Sequence, residues 1–170
     1  MRLAEVWFNG AREIGPPVAP PDEPGRPEKP ELIDPRDTPR RSPGSESGRI
    51  ALIHAIAHIE LNAIDLHWDA CARFGDTPLP RGYFDDWARA ASEEARHFQL
   101  LSARLEAKGS HYGALPAHAG LWTSAQATSG DILGRLAVVP MVLEARGLDV
   151  TPGMIDLFRK VRDEETVEAL

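Results

Sequence analysis

The chain has 170 residues, 42% of them hydrophobic, and a net charge of −7. That length suits one domain with a sizeable core, and the acidic balance argues against a protein that grips nucleic acid through its phosphates, which takes clustered Lys and Arg. No apolar run reaches the roughly 18 residues of a membrane span, the lone Cys71 precludes an intrachain disulfide, and the N-terminus lacks a signal-peptide core, so a cytoplasmic protein is expected.

Residues 1–48 differ from the rest. Ten of the fifteen prolines fall between Pro16 and Pro43. Proline lacks a backbone donor and fixes φ, so this stretch cannot be a long helix or a central strand. It is expected to be extended, as a tail or as a strap over a helical body. Val6, Trp7, Phe8, Leu32 and Ile33 are the candidate anchors, and they favour the strap. Arg36, Arg40 and Arg41 form the best candidate for a basic patch.

The first helix of the body is predicted from about Ser47 to Phe74, with Ser45 or Ser47 as N-cap. Its sequence, ALIHAIAHIELNAIDLHWDACARF, is apolar on nearly every face, which marks a central helix. Yet it carries His54, His58, Glu60, Asn62, Asp65 and His67. Buried ionisable groups need partners or a metal, whereas Cys71 fits an inert helix position. The segment GDTPLPRG returns the chain. A second helix is predicted from Tyr83 to Lys108, with Gly109 as its stop and Phe84, Trp87, Ala91, Phe98, Leu101 and Leu105 as its apolar stripe. SHYGALPAHAGLW reads as loop with one short turn. A third helix is expected from Asp131 to Arg146, closed by Gly147 and kinked at Pro140. Thr151-Pro152 supplies a cap and first-turn start for a fourth, still running at Leu170. No strand pattern is visible, so the fold class is all-α, with a segment 1–48 and a helical body 49–170.

Glu94 and His97 form a Glu-x-x-His step on the second helix. Residues three apart share a helix face, so a carboxylate and an imidazole stand together there. Glu60 lies 34 residues earlier on the first helix and Glu144 lies 50 later on the third. The first spacing suits ligands at mid-height of an antiparallel hairpin at about 1.5 Å per residue. One Glu from each of two helices plus Glu-x-x-His from the others is the ligand scheme of di-iron and di-manganese bundles. Carboxylate and imidazole suit iron, with manganese as the alternative. Glu60, Glu94, His97 and Glu144 are therefore the candidate metal ligands. His54, His58 and Asp65 read as a polar stripe, structural or supporting the ligands, Asp65 and Asp69 as acids supporting a ligating His, and His111 and His118 as surface residues.

The strings GRIALIHAIAHIELNAIDLHWD, FDDWARAASEEARHFQLLSARLEAKGSHYGALPAHAGLW and LAVVPMVLEARGLDVTPGMIDLFRK resemble an uncharacterised bacterial ferritin-like family, domain of unknown function 455. The resemblance covers nearly the whole chain. It implies a ferritin-like antiparallel four-helix bundle with a di-iron carboxylate site at Glu60, Glu94, His97 and Glu144. More distantly the pattern is similar to di-iron tRNA hydroxylases. Such families carry a second Glu-x-x-His on the last helix; here Glu164, Glu165 and Glu168 have no His after them, and none follows His118. The last helix is thus expected to be truncated relative to the family, leaving an apolar face that favours a homodimer. The function expected is an O₂-dependent di-iron oxidase or hydroxylase acting on a small molecule or modified base. The rival is a non-catalytic helical interaction module.

Overall fold

The computed structural model describes residues 2–10, 14, 19–38 and 43–170, with the side chains of Arg2, Leu143 and Glu144 outside that description. Among the described residues the protein is all-helical, with one isolated bridge, between Leu32 and Ala117, in place of any strand. The helices are α1 (Arg2–Phe8), α2 (Glu46–Arg73), α3 (Arg81–Ala107), α4 (Gly120–Gln126), α5 (Ile132–Val138), α6 (Ala145–Lys160) and α7 (Glu164–Ala169). A π-helical turn, Val139–Glu144, joins α5 to α6.

The hairpin of α2 and α3 is the centre of the molecule. The Ser45 hydroxyl accepts the Gly48 N–H at 3.1 Å and caps α2. At the far end of α3, Gly109 takes φ +73°, the Gly109 N–H reaches Glu106 O and the Ser110 N–H reaches Leu105 O. That left-handed residue satisfies carbonyls the helix would otherwise leave open. Ile53, Ile56 and Ala57 of α2 meet Leu101 and Leu105 of α3, and Phe158 of α6 closes this core. Full burial of a side chain such as Phe158 contributes about 1.5–3 kcal/mol. A second core cluster joins Leu66 of α2, Trp122 and Ala125 of α4, and Val139.

The N-terminal residues 2–8 are helical where the sequence suggests extension, because the prolines that forbid a helix begin only at Pro16. The Trp7 indole N–H donates to Asp85 Oδ1 at 2.7 Å, and the Arg81 guanidinium sits 4.7 Å over the Trp7 ring. Residues 19–38 run against α2, α4 and the loop before α4 through backbone and polar contacts. Asp22 O accepts from the Trp122 and Gln126 side chains, Arg26 donates to Asn62 Oδ1 at 2.6 Å, and Ile33 N–H reaches Ala117 O at 2.9 Å. Leu32 bridges through its backbone while its side chain stays exposed. Arg40 and Arg41 lie outside the described residues, and Arg36 pairs with Asp34 at 3.0 Å.

Two expected boundaries are not where the local signals put them. Gly147 and Thr151-Pro152 do not separate two helices: α6 runs straight through them. The Thr151 hydroxyl donates to Gly147 O at 2.8 Å within the helix, so the residue expected to start a helix supports an existing one. The break moves upstream to Pro140, which cannot donate a hydrogen bond. There the Ala145 N–H reaches back five residues to Pro140 O, and the expected kink takes the form of the π turn. The last helix does not run unbroken to Leu170. It turns at Arg162, φ +60°, and restarts at α7.

Asp163 builds that restart. It caps α7 by accepting from Thr166 N and Oγ1, and it receives Arg104 Nη2 at 2.6 Å and Lys108 Nζ at 2.7 Å from α3. Burial alone would raise its pKa, but the hydrogen bonds from Lys108, Thr166 and Arg104 outweigh this and hold the carboxyl well below the usual carboxylate range. A carboxyl with a depressed folded pKa stabilises the fold above its unfolded pKa of about 3.9 and loses that contribution as pH falls toward the folded value. The urea midpoint of the parent is therefore expected to drop between pH 5 and pH 2 more steeply than that of Asp163→Asn. Parallel curves would mean that the Asp163 ion pairs do not stabilise the fold.

Candidate metal centre

Glu60 of α2 and Glu94 and His97 of α3 converge. Each offers a ligand atom, and the three atoms lie within 4.8 Å of one another. His97 Nδ1 is 3.1 Å from Glu94 Oε2 and 3.9 Å from Glu60 Oε2. The first contact follows from the i, i+3 spacing on one helix, and the second from the register of the hairpin. The two carboxylates are largely buried, while the His97 side chain is 50% exposed. Burial pushes the Glu94 carboxyl up, but hydrogen bonds with Glu60 and His97 outweigh it and leave the pKa lowered. Two carboxylates this close repel each other, and a shared proton or a cation would relieve the repulsion. The cluster opens into a cleft of about 420 Å³, whose far wall is Gly147, Leu148 and Thr151 of α6 with Leu121 of α4.

Glu144 belongs by backbone to the π turn, and its side chain lies outside the described residues. The described cluster therefore holds three of the four ligands expected from sequence. His67, two turns beyond Glu60 on α2, is buried with its ring centroid 5.1 Å from that of Trp87. Burial lowers its pKa, partly offset by the nearby Glu94 charge.

The histidine stripe on α2 stays out of the cluster. His54 Nε2 accepts the Gly113 N–H at 3.0 Å. His58 Nε2 lies 3.1 Å from His118 O and Nδ1 lies 2.8 Å from the Tyr112 hydroxyl. A carbonyl only accepts, so the His58 ring proton sits on Nε2 and the Tyr112 hydroxyl donates to Nδ1. Burial takes His58 down to about 4 and Tyr112 up to about 12, so both are neutral at pH 7. Cys71 is half-buried, and burial raises its thiol to about 12, as suits an inert residue.

The acids expected to support a ligating His go elsewhere. Asp69 meets Arg135 Nη1 at 2.5 Å and Arg73 Nη2 at 2.8 Å. Arg135 is only 2% exposed and also donates to Thr128 Oγ1 and Ala125 O. Asp65 faces Arg26 at 3.8 Å. The sequence reading missed Arg135: its only local signal was an arginine in the otherwise apolar stretch ILGRLAV.

Fold and site together define an all-helical protein with a carboxylate–imidazole cluster between its two longest helices. Among the described residues no helix is long and apolar enough to cross a membrane. The chain belongs to the family described as protein of unknown function (DUF455), whose model matches residues 1–170. An uncharacterized protein of Haemophilus influenzae is 49% identical over 149 residues, covering 85% of this chain and 52% of the relative. The chain thus spans about half the length of the curated relative it matches. No solved structure matches it.

Proposed function

We propose that Glu60, Glu94 and His97 hold a divalent transition-metal ion and, with Glu144 from the π turn, form part of a di-iron carboxylate centre in a ferritin-like four-helix bundle. The bundle helices would be α2, α3, the α5–α6 rod and the C-terminal segment, with residues 19–38 as a strap. The observation that carries this reading is the convergence of three donor atoms within 4.8 Å from two helices onto one cleft. Two carboxylate oxygens and one imidazole nitrogen fit Fe(II) or Mn(II) better than a soft metal. When bound, reduced iron would supply O₂-dependent oxidation or hydroxylation. The chain's own part is to fix the ligands on two packed helices and to screen them from water with Leu66 and Leu121. The open side of His97 leaves room for water or substrate.

A second reading is a non-catalytic interaction module. It is favoured by an exposed apolar face on the α5–α6 rod, where Leu133 is 74%, Met141 72% and Leu148 78% exposed. That face also suits a homodimer. Metal analysis after expression in iron-supplemented medium separates the readings. About two irons per chain supports the di-iron centre, following the ligand scheme, and one supports a mononuclear site. None, with stability unchanged by chelation, leaves the interaction module.

A further inference from the structure

A second cleft, of about 430 Å³, opens beside the first. Ile59, Leu121 and Gly147 line both, so the two adjoin. Apolar surface from Ile59, Leu121 and Val150 forms much of the second cleft, and among the described residues no Asp or Glu lines it. In a chain of net charge −7 that is an electrostatic exception. His118 and Arg146 offer it hydrogen-bond donors. His118 Nδ1 accepts the Gly120 N–H at 3.2 Å, which leaves the ring proton on Nε2. Arg146, an exposed residue, lines the cleft with no ion-pair partner among the described residues. His58 is spent on Tyr112 and the His118 carbonyl and adds no charge.

A cation would be repelled by Arg146, and a neutral apolar molecule would cover its guanidinium without answering its N–H groups. A small inorganic anion would leave the apolar walls wet. We infer that the adjoining clefts bind an apolar organic anion, its acid head at Arg146 and His118 and its hydrocarbon body along Ile59, Leu121 and Val150 toward Glu60, Glu94 and His97. The inference deepens the proposed function and rests on it only in making this anion the substrate class; the binding itself needs no metal. Carboxylate and phosphate heads share the required chemistry.

Isothermal titration of the protein as purified with octanoate, octyl phosphate and octanol tests it. Octanoate or octyl phosphate is expected to bind at least about tenfold tighter than octanol, the worth of one charge-assisted hydrogen bond. The tighter of the two acids names the head group. Arg146→Ala is expected to erase that preference and Arg146→Lys to keep most of it. No binding of either acid, equal binding of octanol, or an unchanged preference in Arg146→Ala overturns the inference. A Mn(II) titration of the same sample reads the metal centre separately, so acid binding without metal, or metal without acid, shows which of the two proposals fails.

Discussion

Asp69→Ala is expected to lower the stability of the fold by about 3 kcal/mol, the lower end of what breaking a buried ion pair costs. The change strands Arg135, which is 2% exposed and takes its counter-charge from Asp69 at 2.5 Å. Arg135 would keep Ala125 O and Thr128 Oγ1, so its hydrogen bonds would be cut rather than abolished. Arg73 would lose its partner too, but lies nearer solvent. A urea titration should show the midpoint falling with the slope unchanged. The companion variant Asp69→Ala with Arg135→Met should recover much of the loss, because removing both charges leaves neither stranded. If the single variant unfolds at the parent's midpoint, the Asp69–Arg135 pair does not hold α5 to α2.

His97→Ala is expected to weaken Fe(II) or Mn(II) binding by at least about 100-fold, since even residues that only support a ligand cost 10–100-fold when lost. Helix content should hardly change, because the side chain is half exposed and its mid-helix position favours alanine. Metal titration and circular dichroism on one sample check both halves. Parent-like metal affinity in the variant would remove His97 from the ligand set, and a large loss of helix would make it a folding residue.

The α2–α3 hairpin was legible because its signals are local. The Ser45 cap and the Gly109 stop place those helices within two residues of where they lie. The approach of Glu60 to Glu94 and His97 was legible from helix periodicity and hairpin length. What the sequence hid is tertiary. Gly147 and Thr151-Pro152 carry the stop and start signals of two helices, yet both are absorbed into α6. Arg135 and Asp69 are 66 residues apart, and nothing near either announces the other. Asp163 looks like an ordinary helix-start acid until α3 brings Arg104 and Lys108 to it. His118, read as a surface residue, is half-buried and walls a cleft because its loop folds back on α2.

The π turn at Val139–Glu144 makes chain length a variable of its own. A π turn holds one residue more than the α-helical turn it replaces, and each residue rotates a helix by about 100°. Losing one of those six residues would swing α6 about its axis. Gly147, Leu148 and Thr151 would then leave the wall facing Glu60 and Glu94, though none had been substituted. The phase of that wall is encoded in a residue count, so a single-residue insertion or deletion there would retune the cleft with every lining residue unchanged.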